Sequence, residues 1–184
     1  MVSFASFLCS FPSVAFSGSR VFGSSASVSC RAFLPVLGGF SGSVGVGCAS
    51  GVDSLVRSAF PSASVFSVSS FLVGGRVCRA SFARRSSALV SWCASSGGLL
   101  VAFPLGACPS SVRPSASFSG GGSGSWGSVA LALGLGAPVL VVVPAGAFPA
   151  PVAVASRFVF AGVAPCGGWA WVARPAVGGQ LSLF

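Results

Sequence analysis

The chain is predicted to be an α/β protein: a three-layer sandwich around an open, mainly parallel sheet of about five strands, with an irregular C-terminal tail. Three observations predict this. Short apolar runs alternate with stretches whose apolar residues recur at helical spacing, the pattern of strand–helix–strand units. The run LLVAF at 99–103 is apolar throughout and stops at Pro104, as expected of a strand buried on both faces. Glycine- and serine-rich turns fall where strands would hand over to helices.

The elements follow in order. Residues 14–16 form a short apolar strand ending in SGSR, 17–20. Val28, Ala32, Phe33, Val36 and Leu37 give 24–37 helical spacing, weakened by Pro35 and closed by Gly38 and Gly39. Residues 43–46 are a second strand, followed by GCASGVD, 47–53. Val52, Leu55, Val56, Ala59 and Phe60 then fall at i, i+3, i+4, i+7 and i+8, an amphipathic helix stopped by Pro61. A third strand spans 64–68, and 66–75 carries a loop. A helix over 79–95 places Phe82, Ser86, Leu89, Val90 and Cys93 on one face and ends at Gly97 and Gly98. The fourth strand is 99–103. A Gly/Ser/Pro-rich loop over 105–125 follows, long enough to suggest function. Residues 126–135 read as an almost wholly apolar helix and 138–143 as a fifth strand. The stretches 157–160 and 169–171 read as edge strands. This divides the chain into an N-terminal extension (1–13), a main domain (14–144) and a Pro/Gly/Ala-rich tail (145–184).

Composition removes several kinds of chemistry. The net charge is +9, carried by ten arginines and no lysine, against a single acidic residue, Asp53. There is no His, Glu, Tyr, Asn, Thr or Ile. Without His or Glu there is no Ser-His-Asp triad and no carboxylate pair for acid/base work, so catalysis is not expected. The seven cysteines form no C-x-x-C pair. They read as scattered thiols of a reducing, cytoplasmic setting, with no metal site and no cofactor. The mean hydropathy of +0.93 invites a membrane reading. Its best window, 126–148, is broken by Gly134, Gly136, Pro138 and Pro144, so no membrane partner is expected. The N-terminus lacks the basic start of a signal peptide. The missing residue types share adenine-containing codons, so the same composition would also arise in an unselected reading frame with no function.

Several stretches carry binding chemistry. In GCASGVD, Gly47 and Gly51 permit positive φ and close backbone approach, and Ala49 lies between them. The helix opening after Gly51 aims free N–H groups at the turn, where its dipole favours phosphate and also the carboxylate of Asp53. Capping of that helix is the plain alternative for Asp53. Ser17, Gly18, Ser19 and Arg20 form a second strand-end turn, whose arginine can fork onto phosphate. GGGSGSWGS, 120–128, formally matches G-x-G-x-x-G at Gly122, Gly124 and Gly127. It lies too late in the chain for a dinucleotide fingerprint, but Ser123, Gly124, Ser125 and Trp126 form a phosphate cradle in principle. Arg79, Arg84 and Arg85 cluster on one helix, with Arg84 or Arg85 within reach of a ligand.

Taken together, F-SGSR, VGCASGVDSLVRSAF, R-x3-ARRSSALV, LLVAFP and GGSGSWGSVALALGLGAPVLVVVP resemble the SLOG superfamily. This Rossmann-like group includes the DNA-processing protein A and Lonely-guy (lysine-decarboxylase-like) proteins. The resemblance covers about 14–144. It implies a nucleotide or nucleotide-derived ligand at the carboxyl ends of the strands. Arg20, the 47–53 turn and 123–128 would hold phosphate and sugar, and Asp53 would accept from a hydroxyl or orient an arginine. The Lonely-guy glutamate of P-G-G-x-G-T-x-x-E has no counterpart here. The DNA-processing branch implies single-stranded DNA as the alternative partner, with Trp126 and exposed phenylalanines stacking on bases. The resemblance is also compatible with a homodimer.

Overall fold

A computed structural model of the chain describes residues 4–119, 123–147, 158–164 and 167–173. Five strands form a parallel sheet: β1 (Ser13–Gly18), β2 (Ser43–Gly47), β3 (Ser64–Phe66), β4 (Leu99–Phe103) and β5 (Val139–Val143). Two further strands, β6 (Phe158–Val163) and β7 (Trp169–Ala173), extend it to seven in the order β3-β2-β1-β4-β5-β7-β6. The sheet therefore exceeds the five strands expected. β7 is not an edge strand as expected but lies between β5 and β6, antiparallel to both. Its in-and-out burial lets it pack on two faces at once. Of the stretch 157–160, Arg157 lies outside the described residues, as do Gly120 to Gly122 of the glycine loop and much of the tail.

The helices are α1 (Phe4–Cys9), α2 (Ser25–Phe33), α3 (Val52–Ala59), α4 (Arg79–Ser95) and α5 (Gly124–Gly134). Two apolar cores lie on opposite sides of the sheet. One joins α1, α2 and α3 to Val14, Phe16, Val46, Val101 and Leu140. The other joins α4 and α5 to Ala15, Leu100, Ala102, Val139 and Val141. Successive residues of one strand thus face opposite cores, and β4 and β5 are buried along their whole length.

α1 was not foreseen. Its six residues bury Leu8 completely, so part of the N-terminal extension belongs to the core. α2 starts one residue after its Ser24 cap, but its buried face is Ala26, Ser27, Cys30 and Phe33. Val28 is 61% exposed, and Ala32 is exposed as well. The helix gives way at Leu34 to a 3₁₀ turn ending at Leu37. Pro35 has no N–H to continue the α-helical ladder, and the tighter turn rotates Leu37 into the core. β3 ends at Phe66, short of the expected residue 68, because a 3₁₀ turn starts there, capped by Ser67.

The parallel part, 3-2-1-4-5, is the order of a doubly wound sheet. The chain leaves β1 toward one edge and returns through α4 to the other side, which opens a crevice between the carboxyl ends of β1 and β4.

Candidate functional site

A cavity of about 1070 Å³ fills that crevice. Its walls are the end of β1 with the turn behind it, the N-terminal half of α4, the start of α5, and the loop after β4. Ser17, Gly18, Ser19, Arg20, Ala49, Asp53, Arg85, Ser123, Gly124, Ser125 and Trp126 line the cavity, whereas the candidates Gly47 and Gly51 do not.

Those two glycines act one layer back. A Cβ on Gly47 would overlap the Arg85 guanidinium and the Asp53 carboxylate. Gly51 has φ +65° and packs on the Ser19 carbonyl, so it is the residue whose backbone only glycine adopts without strain. Gly18 plays a similar part at the end of β1, where a side chain would meet Val52. The Val52 N–H donates to the Ser19 carbonyl at 3.0 Å, and the Ser50 hydroxyl donates to the Arg20 carbonyl at 2.6 Å. The first two strand-end turns are thereby fastened together.

Asp53 is buried, and its Oδ2 accepts two hydrogen bonds. One comes from the Ala49 N–H at 3.1 Å and one from Arg85 Nη1 at 3.0 Å. The helix cap is Gly51, so Asp53 does not cap α3. It closes its own turn and fixes an arginine brought from α4. The two side chains, Arg85 and Asp53, are 7% and 6% exposed. Arg57, which sequence reasoning missed, holds the same turn from below: Nη1 donates to the Gly47 carbonyl at 2.6 Å and Nη2 to the Ala49 carbonyl at 3.0 Å. Its only signal in the sequence is the i+4 spacing from Asp53.

Arg85 is the chemically distinctive group. Asp53 occupies Nη1, and Nε is buried without a hydrogen-bond partner among the described residues. A buried N–H of a guanidinium is costly to leave unpaired. The Nε/Nη2 edge is the one that grips a phosphate or carboxylate with two parallel bonds. Of the two arginines expected to reach the cavity, Arg85 does so, while Arg84 is exposed and does not line it.

Across the cavity stands the start of α5. Ser123 caps it, accepting from the Trp126 N–H at 3.5 Å, and the first N–H groups of the helix have no intrahelical partner. Ser17 and Ser128 are joined between the two walls, with the Ser17 hydroxyl donating at 3.2 Å. Trp126 is only 2% exposed, and its Nε1 donates to the Gly106 carbonyl at 3.0 Å. It is no surface ring for stacking on single-stranded DNA. It ties the loop after β4 to α5. That loop forms no helix or strand among its described residues but is fastened at Ser115, whose N–H donates to the Ala130 carbonyl at 3.1 Å.

Arg20, Arg79 and Arg85 line the cavity against the one carboxylate of Asp53, so the site favours anions. The carboxylate is already bonded to Arg85. Among the described residues no cysteine lines the cavity, and burial pushes the Cys93 thiol up to about 12 and the Cys108 thiol up to about 11. No cluster of metal-ligating side chains occurs among the described residues, and no helix there is long and apolar enough to cross a membrane. Comparison of the chain with protein-family models, curated proteins and solved structures gave no match.

Proposed function

We propose that the crevice binds a nucleotide or nucleotide-derived ligand by its phosphate, as expected of a Rossmann-like domain of SLOG type. The observation that carries this reading is Arg85, buried at the cavity wall with Nε unpaired and Nη1 held by Asp53. A phosphate placed between that free edge and the start of α5 would satisfy both sets of donors. The location at the switch point of a doubly wound sheet supports the same reading.

The test is isothermal titration of the chain with a panel of nucleoside mono- and diphosphates, with Arg85→Lys beside it. The lysine keeps a cation for Asp53 but loses the fork. Micromolar or tighter binding that weakens at least about tenfold in Arg85→Lys is expected. Absence of binding across the panel refutes the reading. A second reading, single-stranded DNA, is favoured by the exposed arginines Arg20, Arg76, Arg79 and Arg84, with Phe22 61% exposed. It requires oligonucleotide binding that falls steeply as salt rises and is indifferent to Arg85→Lys.

A further inference from the structure

One aromatic ring in the cavity wall has no structural employment. Phe82 sits on α4 and faces the cavity, yet it packs into neither of the two apolar cores. With Arg85, Ser86 and Leu89 it forms an i, i+3, i+4, i+7 row along one helix face, all of it lining the cavity. Leu89 anchors the row in the core, Arg85 is buried, and Phe82, one turn nearer the helix start, is half-buried. The row therefore runs from the core outward to the rim.

Over the Phe82 ring lies Arg20, its Cζ 4.5 Å from the ring centroid. The two residues come from different elements, the turn after β1 and the second turn of α4. Among the described residues the Arg20 guanidinium makes no hydrogen bond and no ion pair. A flat cation on a flat ring, both at the cavity wall and neither committed elsewhere, is a surface suited to a third planar group. Rings stack on phenylalanine and on guanidinium planes irrespective of their hydrogen-bonding pattern.

We infer that Phe82 and Arg20 are the seat of the ligand's nucleobase and determine its preference for base-bearing over base-free phosphates. The inference rests on the nucleotide reading above. It divides the cavity into two: an anion end at Arg85 and the start of α5, and a π end one helical turn nearer the rim. Because stacking tolerates any base, the seat discriminates the presence of a base more than its identity.

The experiment compares adenosine 5′-monophosphate with ribose 5-phosphate, which carries the same phosphate and sugar but no base. Both are titrated into the wild-type chain and into Phe82→Leu and Phe82→Trp. The wild type is expected to prefer the nucleotide on the order of tenfold. Phe82→Leu should reduce that preference to within about twofold while leaving ribose 5-phosphate affinity unchanged, and Phe82→Trp should keep or raise it. Equal weakening of both ligands in Phe82→Leu overturns the inference, because the ring would then only be shaping the wall. So does a wild type that binds both equally while still depending on Arg85; the phosphate site would stand and the base seat would fall. A wild type that binds neither compound removes the nucleotide reading and the seat with it.

Discussion

Replacing Asp53 by Asn tests the central pair directly. The substitution keeps the shape and an acceptor for the Ala49 N–H but removes the charge facing Arg85. Both side chains are more than nine-tenths buried, their atoms are 3.0 Å apart, and Arg85 has no other hydrogen-bond partner among the described residues. Breaking a buried pair from one side leaves a stranded ion and typically costs about 3–5 kcal/mol. The amide oxygen still accepts from Nη1, which places Asp53→Asn near the lower end, about 3 kcal/mol. Against a domain stability of about 5–15 kcal/mol this is a large loss. Urea unfolding followed by far-UV circular dichroism reads it as a lowered midpoint at unchanged slope. Adding Arg85→Met removes the stranded cation, so the double variant should recover about 2 kcal/mol relative to the sum of the singles. Raising salt from about 0.05 to 0.5 M should leave the loss unchanged, because buried pairs are weakly screened. An Asp53→Asn loss below about 1 kcal/mol, the value of an exposed pair, would refute this account of the site.

Two further outcomes follow from the same geometry. Gly47→Ala forces the pair apart and should destabilise by at least about 1–3 kcal/mol in the same assay, whereas Gly39→Ala, which meets open space, should stay within about 0.5 kcal/mol. Cys78 lies exposed at the start of α4, where the Ser81 hydroxyl and backbone N–H hold its thiol below the ordinary range. Its thiolate is therefore present at lower pH than in the unfolded chain. Peptide mapping after brief iodoacetamide treatment at pH 7 should find Cys78 modified and Cys93 untouched, and early labelling of Cys93 would contradict the packing of α4.

Much of the frame was legible because the local rules agree with one another there. LLVAF, the glycine turns and the heptad-like spacing of α3 and α4 leave little choice, and α4 falls on the expected 79–95. α2 misled because Val28 looked like a core residue while Cys30 and Ser27, weaker hydropathy signals, are the ones packed inward. Packing against Phe103 and Phe4, two rings distant in sequence, orients Phe33 and with it the helix. The hairpin β6–β7 was hard to place because edge position depends on which strand accepts β5 as neighbour, a long-range choice. Within the site, Asp53 stood out as a lone carboxylate. Choosing Arg85 over Arg84 needs only the helix period: Arg85 lies four residues before buried Leu89, while residues three and four beyond Arg84 are the partly buried Ser87 and Ala88. Phe82, expected on one helix face with Ser86 and Leu89, lines the cavity.

The same comparison explains why a chain with ten arginines keeps one acid. Among the described residues, Arg20, Arg31, Arg76, Arg79, Arg84 and Arg113 are exposed, and Arg57 is half-buried with two backbone carbonyls as acceptors. Water or the backbone satisfies each of them, so none needs a carboxylate. Among the described arginines only Arg85 is buried, and it has no carbonyl partner there. A guanidinium taken out of water requires a counter-charge. Asp53 provides it at Nη1, and Nε stays without a partner among the described residues. A second acid in the crevice would neutralise the remaining positive field. No acid at all would leave Arg85 without a reason to stay folded inward while the cavity is empty. One carboxylate, placed two residues after a glycine turn, is enough to pair the one arginine that is buried among the described residues.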